Sequence, residues 1–556
     1  MAATPAPPLD MADMSIEDLA NIQITSVSKK PERLAAAAAS VFVITADDIR
    51  RSQAGSAFPK PCAWRRICRW PRATAPPTRF PRGMNGSNNS APNKLLVMID
   101  GRSVYSPLFS GVFWEVQEVM LEDVERIEVI SGPGGTLWGV NAVNGVINIM
   151  TRHASETHGT QVSLRAGSRG SDSAFRQGGA SGGWDWRVYG KYQDVRRSEL
   201  AGGGPVDDAR HLAQAGFRAD SARGADRYTV GGSAYKGRSE QPLPGSISTG
   251  EDVLLGPISS DGVNLTASWR RALDGGAELA LQAYLDYSKR DVVPSYAESL
   301  TIADLQFQHS LAPIGAHRAV WGANLRRSRD DVTHGPMVAF LPAQTGQTWA
   351  SLFAQDEIAL AEALRLTLGA RVERNDYTGA EVLPTLRLAW TPSAAHSLWG
   401  ALSRTVRAPS RLDVDTFIPG APPYLLIGGP QVRSEVAKVA ELGYRSQPPC
   451  ESVILGDHVP QRLRSFAHPG SAVALARADR LRQPDGRQGD RDRDVGQLSG
   501  HAEVAPERGH HGPASALHAQ ARQQRCGLAP VPRARIPRIR RSCAPRSRWP
   551  RTRTST

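Results

Sequence analysis

Residues 124–152 read VERIEVISGPGGTLWGVNAVNGVINIMTR, and this stretch decides the fold. Ile127, Val129 and Ile130 place β-branched residues ahead of a Gly-Pro-Gly-Gly run, and a second β-branched run ends at Thr151. Proline fixes φ and glycine opens positive-φ space, so the chain can reverse tightly between the two runs. We predict two β-strands around a glycine-rich turn. A phosphate-cradling loop is disfavoured because no Lys-Ser or Lys-Thr follows the glycines.

The same stretch resembles the end of the plug domain of TonB-dependent outer-membrane receptors. In that family a motif like Val-Glu-Arg-Ile-Glu-Val is followed by Gly-Pro, Leu-Tyr/Trp-Gly and Gly-Val-Ile-Asn-Ile. Two positions depart from the pattern: Ser131 stands where Arg is usual, and Asn144 stands where a second Gly is common. The resemblance implies a polar contact between that Arg and the barrel, which Ser131 is not expected to make. The plug positions that match are Arg82, Gly83, Asp100, Gly101, Arg126, Glu128, Gly132, Pro133, Gly139 and Gly145.

The resemblance implies an α+β plug domain followed by a mainly antiparallel transmembrane β-barrel. We expect a periplasmic segment at 1–31, the plug at 32–155, barrel strands at 156–447 and an Arg/Pro-rich region at 448–556 that is disordered. We count roughly a dozen strands before Tyr444, where a plugged transporter of this type needs about 22. The barrel is therefore expected to be incomplete.

From about residue 160 the sequence alternates in segments of roughly ten residues separated by Gly, Asp, Ser and Arg. This pattern is typical of a transmembrane barrel. A soluble sandwich also alternates, and the preceding plug motif favours the barrel. Examples of the predicted strands are 161–166, 186–195, 228–235, 265–273, 277–287, 349–358, 364–372, 386–391 and 398–406. Candidate members of interfacial aromatic girdles are Tyr189, Tyr192, Tyr284, Tyr287, Trp390 and Trp399.

The formal charge of +13 is concentrated in two segments. Residues 56–81 carry +6 and residues 451–556 carry +11, which leaves −4 for the rest. Nucleic-acid binding is disfavoured because the basic residues lie outside the patterned body. The five cysteines also lie in these segments or at the edge of one, which suits an envelope protein without a disulfide framework. They are Cys62, Cys68, Cys450, Cys526 and Cys543.

Both basic segments break the expected pattern. Residues 58–71 have neither a helical nor a strand period, and residues 451–556 contain no Tyr and one Phe. Read in a neighbouring frame with permitted codons, 58–71 can encode LPEALRLAPNLQVA and 450–467 can encode ASLSSSATTFHNDYDRLR, which are plug-like and barrel-like. We interpret both as frame slips, so this copy is expected not to assemble stably. The alternatives for the second are a disordered basic tail or an Arg-rich nucleic-acid arm.

The N-terminal residues resemble the energy-coupling part of the family. Residues 1–10 lack the features of a signal peptide, and a short capped helix is predicted at 15–21. Residues 22–30 alternate as an extended strand would and resemble the TonB box, which pairs edge-to-edge with the periplasmic TonB energy-transducing complex. An ordinary strand or linker is the alternative. The candidate partner-binding residues are Ile24, Thr25, Ser26, Val27 and Ser28.

Three further elements and one loop are predicted within the plug. Residues 41–44 form a strand candidate, a capped helix begins near Thr45, and residues 94–102 form a buried strand that ends in an Asp-Gly turn. A loop rich in aromatic and turn residues follows. Its candidate solute-binding residues are Tyr105, Phe109, Phe113 and Trp114. The same rings would serve equally well in the plug core, so both roles remain open.

The resemblance implies a receptor for energised uptake of a scarce solute across the bacterial outer membrane. In the family the solute is most often a ferric siderophore and sometimes cobalamin or another metal complex. No catalytic set, metal-ligand spacing or cofactor motif stands out in the body, so we expect no enzyme, resident metal or cofactor. The expected partners are TonB, the solute and membrane lipid. A passive porin-like channel is the alternative, and a basic nucleic-acid-binding protein is less favoured.

Overall fold

The structure is a computed structural model, and it describes residues 23–34, 37–51, 93–199, 203–241, 255–393, 396–446 and 473–482. Several predictions lie outside these residues: the helix at 15–21, the segment 56–81, the motif residues Arg82 and Gly83, and most of 448–556. No helix within the described ranges is both long and apolar enough to cross a membrane.

The first part of the chain forms a small α+β domain around a five-stranded sheet. The strands of this domain are β1 (Gln23–Ile24), β2 (Glu32–Arg33), β3 (Ser40–Thr45), β4 (Leu95–Ile99), β5 (Arg102–Ser103), β6 (Val124–Ser131) and β7 (Gly145–Thr151). The sheet has the order β3-β6-β7-β4-β5, in which β4 and β7 are parallel and the other neighbours are antiparallel. The helices are α1 (Ala46–Arg51) and α2 (Gly135–Trp138), with 3-10 turns at Trp114–Val116, Leu121–Asp123 and Ala154–Thr157.

Both faces of this sheet are covered by apolar side chains. In β4, Leu95 and Val97 belong to one buried cluster, while Leu96 and Met98 belong to a second cluster on the other face. Successive strand residues point to opposite faces, so a strand covered on both sides reads as an unbroken apolar run. This explains why the predicted strands at 41–44, 94–102 and on both sides of the glycine-rich turn are confirmed. The turn also holds α2, which the sequence pattern does not predict.

The second part of the chain forms a 15-stranded antiparallel sheet whose strands follow chain order. Its edge strands in the described residues are β8 and β25, so the sheet is not closed. The strands are β8 (Gly159–Gly167), β9 (Gly170–Ser181), β10 (Trp184–Val195), β11 (Arg210–Arg223), β12 (Asp226–Ser239), β13 (Ile258–Ala272), β14 (Glu278–Val292), β15 (Tyr296–Ser310), β16 (His317–His334), β17 (Ala339–Phe340), β18 (Gln344–Ala361), β19 (Leu364–Asn375), β20 (Gly379–Ser393), β21 (His396–Arg407), β22 (Thr416–Ile418), β23 (Leu426–Ile427), β24 (Glu435–Ser446) and β25 (Val473–Arg482). Strands β17, β22 and β23 form a separate small sheet, and α3 (Arg411–Val414) precedes β22.

The large sheet exposes its apolar face and buries its polar face. On β10, Val188 and Tyr192 are each 46% exposed, whereas Arg187 and Lys191 are 3% and 7% exposed. The same alternation continues on β16, where Leu325 is exposed and Asp330 is buried. A water-soluble sheet buries its apolar face instead, so this inverted polarity is that of a sheet with lipid outside and a polar interior.

Three sequence predictions for this region need correction. The nine predicted strands are confirmed, but β9, β11, β15, β16 and β24 were not among the examples. The expected end of the strands at 447 is wrong for β25, which pairs with the open edge of β24 and supplies partners for its backbone groups. The girdle is wrong at Tyr189, Tyr284 and Trp399, which face inward. Tyr284 and Trp399 are each 2% exposed, and Tyr189 accepts a hydrogen bond from the buried Gln214. Tyr284 and Tyr287 are three residues apart and therefore lie on opposite faces.

Candidate functional site

Residues 24–30, here called the docked segment, lie against the plug sheet rather than extending away from it. The predicted extended strand at 22–30 is therefore wrong beyond β1, which pairs with β2 for two residues only. The chain then turns, and Ile24 and Val27 are both buried in the plug cluster that contains Leu96 and Met98. The turn brings these two apolar side chains to the same face of the segment, and their burial explains the departure from a strand.

Carboxylate and indole groups of the plug bind the backbone of the docked segment. The amides of Thr25 and Ser26 donate to the Glu128 carboxylate at 3.1 Å and 2.9 Å. Trp138 donates its indole N–H to the Ser26 carbonyl at 2.8 Å, and Asn148 donates to the Ser26 hydroxyl at 2.9 Å. Thus Glu128, predicted only as a motif residue, holds the candidate partner-binding residues. Ser28 completes the turn by donating to the Lys30 carbonyl.

The last two residues of the docked segment reach the large sheet. The Lys29 ammonium lies 4.7 Å from the ring centroids of both Trp138 in α2 and Phe353 in β18. Gln308 donates to the Lys29 carbonyl at 3.2 Å, and the Lys30 ammonium donates to the Ala319 carbonyl at 3.0 Å. The segment therefore connects the plug to the first residues of β16 and to the end of β15.

Burial perturbs the ionisable groups of this region. It lowers the pKa of Lys29 to about 7, assisted by the neighbouring Arg371 and opposed by Asp304. Burial also lowers the pKa of Lys30. It raises the pKa of Glu32 to about 7, against the hydrogen bond from Ser28 that favours the carboxylate. The docked state therefore disfavours the charged forms of these groups.

The other predicted motif residues shape the plug and its approach to the large sheet. Asp100 and Gly101 form the turn after β4, and the Asp100 carboxylate accepts from the amide and hydroxyl of Thr151 at 2.8 Å each. Gly132 and Gly139 have positive φ, and a Cβ at either would overlap a carboxylate of the large sheet. The remaining positions are Arg126, which donates to Glu128, Pro133, whose carbonyl accepts from Arg387, and Gly145, which pairs with Ser131 and Leu95.

Residues 104–114, here called the apex loop, lie at the opposite end of the plug. The amides of Arg411 and Leu412 donate to the carbonyls of Pro107 and Leu108 at 3.2 Å and 2.7 Å. Leu108 is buried with Val332 and Phe340. The apex loop is therefore bound to the connections that follow β16 and β21.

The four candidate solute-binding rings separate into two pairs. Tyr105 and Trp114 are 7% and 3% exposed, and Tyr105 donates to the Asn93 carbonyl at 3.1 Å. Burial raises the pKa of the Tyr105 phenol, as expected for a core residue. Phe109 and Phe113 are only partly buried and contact each other, with centroids 4.6 Å apart. The guanidinium of Arg290 lies 4.2 Å from the Phe113 centroid and pairs with Glu115 at 2.6 Å.

The two ends of the large sheet differ in the length of their connections. The apex loop lies at the end with long connections, which include 196–209, 335–343 and 408–434. The docked segment lies at the end with short turns, which include 182–183, 224–225 and 362–363. Transmembrane barrels have short periplasmic turns and longer extracellular loops. The docked segment thus lies at the end expected to face the periplasm. The apex loop lies at the end expected to face the extracellular side.

Buried ion pairs join the plug to the large sheet, and a polar cavity lies between the two. Lys191 contacts Glu118 at 2.8 Å, Arg187 contacts Asp123 at 3.3 Å, and Arg102 pairs with Asp286. A cavity of about 430 Å³ lies between plug and sheet. The cavity is lined by groups from both ends, among them Lys29, Gln308, Asn324, Gln282, Ser110 and Pro409. Charged and amide side chains therefore face the plug, as the inverted polarity requires.

The family described as TonB dependent receptor-like, beta-barrel matches residues 153–453, and the TonB-dependent Receptor Plug Domain matches residues 76–146. The chain belongs to the TonB-dependent receptor family. The receptor is 27% identical over 311 residues to the iron-regulated outer membrane virulence protein of Vibrio cholerae, covering 53% of this chain and 46% of that protein. It is 38% identical over 89 residues to the vitamin B12 transporter BtuB of Vibrio vulnificus, covering 16% and 13%. The receptor thus spans about half the length of the first of these relatives.

Solved structures agree with this fold. The ferric enterobactin receptor of Pseudomonas aeruginosa aligns with a TM-score of 0.57 at 16% identity, covering 74% of the receptor chain and 69% of that protein. The ferric yersiniabactin uptake receptor FyuA of Yersinia pestis aligns with a TM-score of 0.58 at 15% identity, covering 74% and 70%. At these identities the likeness concerns the fold alone. The predicted plug domain followed by an incomplete antiparallel barrel is confirmed.

Two contributors to the candidate sites are not predicted from sequence. Lys29 lies one position beyond the predicted partner-binding residues, and Phe353 is one aromatic residue on a long strand. No local pattern brings them together, because their contact depends on how the plug sits against the large sheet. Among the residues that the structure describes, no group of three or more His, Cys, Asp or Glu side chains could hold a metal ion.

Proposed function

We propose that this chain derives from a receptor for energised uptake of a scarce solute across the bacterial outer membrane. The solute that we favour is a ferric siderophore. The plug is proposed to span 32–155, and the barrel strands are proposed to begin at 156 and to extend beyond 447 to include β25. The observation that carries the proposal is the position of the docked segment. Ile24, Thr25, Ser26, Val27 and Ser28 lie at the short-turn end, the side on which a periplasmic partner would act.

The proposed partner is the TonB energy-transducing complex. In the docked state the amides of Thr25 and Ser26 are bound to Glu128, and the side chains of Ile24 and Val27 are buried. Pairing with a strand of TonB needs free backbone groups. We therefore infer that the docked segment is a resting state and that it must leave the plug before it binds.

The proposed solute site is the apex loop together with the neighbouring connections of the barrel. Phe109 and Phe113 are partly exposed aromatic residues in contact with each other, which suits a metal chelate with aromatic groups. Tyr105 and Trp114 are assigned to the plug core instead because they are buried. The names of the relatives support an iron chelate, and those of shorter matches include a vitamin B12 transporter.

Uptake of radiolabelled iron tests this function. A gene corrected in the two proposed frame slips would be expressed with an export signal in a receptor-deficient strain and supplied with a panel of ferric siderophores. Deletion of 24–28, or collapse of the proton-motive force, is expected to abolish uptake while surface binding of the solute persists. Solute flux that survives both treatments would favour the passive channel.

The same strain tests the proposed frame slips. The chain as given is expected not to form a heat-modifiable, protease-resistant barrel in the outer membrane, because unpaired strand edges are poorly tolerated in lipid. The corrected chain is expected to form one. Recovery of the uncorrected chain as such a barrel would refute this part of the proposal.

A further inference from the structure

Lys29 is the residue through which the docked segment is held by plug and barrel at once. Its ammonium lies 4.7 Å from the ring centroids of Trp138 and of Phe353. Its φ is +57°, a conformation that is uncommon for a residue other than glycine and is maintained only by its surroundings. Those surroundings include a hydrogen bond from Gln308 of the barrel to the Lys29 carbonyl.

The rings of Trp138 and Phe353, here called the aromatic slot, belong to different parts of the molecule. Trp138 belongs to α2 of the plug and also donates to the Ser26 carbonyl of the docked segment. Phe353 belongs to β18 of the barrel, is 5% exposed, and packs against Leu137 and Val320. The slot is therefore intact only while α2 lies against the inner face of the barrel.

We propose that Lys29 is a positioning residue: its side chain, held between Trp138 of the plug and Phe353 of the barrel, keeps residues 24–28 docked until the plug moves relative to the barrel. A ring face attracts a cation, and two faces replace part of the hydration that the buried ammonium loses. Separation of α2 from β18 removes one face and weakens this attraction. The docked segment then loses the ring face that the barrel contributes, and its backbone becomes available sooner.

The identity of the partner that takes up the released segment rests on the proposed function, but the contact itself does not. The two can therefore fail separately. If uptake fails and release still depends on Lys29, only the partner assignment is wrong. If uptake succeeds and release does not depend on Lys29, only the positioning role is wrong.

The test is thiol labelling of the frame-corrected chain in detergent micelles, at a pH below 7 so that the Lys29 side chain is charged. Any cysteines that remain after the frame correction are replaced by serine, and Val27→Cys, which is buried in the docked state, reports release through its rate of reaction with a polar maleimide. Lys29→Ala and Phe353→Ala are each expected to raise this rate about tenfold, the effect of losing a desolvated cation–π contact. The double variant is expected to match either single variant, because both changes remove the same contact. Lys29→Arg is expected to restore slow labelling.

Two controls separate release from general loosening. Leu352→Ala changes the neighbouring outward-facing side chain, which is 63% exposed, and is expected to leave the Val27→Cys rate unchanged. Ile147→Cys, in the plug core, is expected to stay unlabelled in all the variants. Equal labelling of Ile147→Cys would show that Phe353→Ala merely loosens the plug. That result, an unchanged rate in Lys29→Ala, or additive effects in the double variant would overturn the proposal.

Discussion

The plug sheet and the barrel sheet use the same two-residue alternation with opposite outcomes. In the plug, Val97 and Ile147 are buried and both faces of the sheet are covered by apolar groups. In the barrel, Leu325 and Val188 are exposed while Arg187 is buried. Alternation therefore tells which residues share a face but not which face is inside. The surroundings decide that, since the barrel has lipid outside and a polar plug within.

Where the two regions meet, the comparison predicts an interface that depends on charge pairing. Plug carboxylates contact barrel cations, as Glu118 contacts Lys191 and Asp123 contacts Arg187. Buried charges are costly unless paired, so removing one partner has a large effect. The predictions below follow from this comparison, concern the frame-corrected chain, and run from the largest expected effect to the smallest.

Lys191→Met is expected to have the largest effect on stability. It leaves the Glu118 carboxylate buried without its nearest cation, which costs about 3–5 kcal/mol in the free energy of unfolding. Urea denaturation in detergent micelles measures this loss. Addition of Glu118→Gln removes the buried charge and should recover most of it. If the single and double variants lose equal free energy of unfolding, the unpaired Glu118 carboxylate is not the cause of the loss.

Ile147→Ala in the plug is expected to lower the free energy of unfolding by about 2–5 kcal/mol, because Ile147 is fully buried and the truncation leaves a cavity. The matched barrel change is Leu325→Ala on the outer face. It should cost less because detergent or lipid occupies the space that the side chain leaves. Losses of equal size would argue against a lipid-facing position for Leu325.

Leu325→Arg is expected to cost about 2–4 kcal/mol in a bilayer, since Leu325 lies midway along β16 and faces outward. Asn324→Arg places the same charge on the inner face of the same strand, beside the polar cavity, and should cost less. Urea titration of the two variants in proteoliposomes compares them. A larger cost at 324 would reverse the assignment of the two faces.

The docked segment is expected to lose stability as the pH rises from about 4.5 to about 7. The pKa of Glu32 is raised to about 7 in the docked state, so its protonated form favours docking, and this contribution is fully present only below its unfolded value. One proton allows at most about a tenfold change in the docked fraction per pH unit. A nitroxide at Thr25→Cys, which leaves the hydrogen bond between Ser28 and Glu32 in place, would report this through its mobility. Glu32→Gln should remove the dependence, and an unchanged profile would exclude Glu32 as its source.

Much of the fold can be predicted from local patterns. The motif around Gly132 and Gly139 indicates the plug because both glycines have a positive φ and lie close to side chains of the large sheet, where a Cβ would not fit. Barrel strands such as β10 and β19 have clear alternation. Strand β16 is harder to find because its many charged and polar residues include outward-facing Arg327 and Arg329, which interrupt the apolar face near one end.

The candidate sites can be predicted less well, because they depend on contacts between distant parts of the chain. Residues 22–30 alternate as a strand does, but docking against the plug sheet overrides that preference. Aromatic residues alone do not show whether a ring belongs to the core or to a binding surface. Trp114 and Phe113 are neighbours in sequence, yet only the first is buried.

Nitroxide scanning of β16 tests the central claim most directly. Single labels at consecutive positions from 320 to 329 would be compared in proteoliposomes for collision with oxygen, which concentrates in lipid, and with a water-soluble paramagnetic complex. The inverted polarity predicts a period of two, with odd positions such as 321 and 325 exposed to lipid and even positions such as 320 and 328 shielded. Odd positions that are exposed to water rather than lipid, or the absence of any alternation, would contradict a lipid-facing sheet around a polar plug.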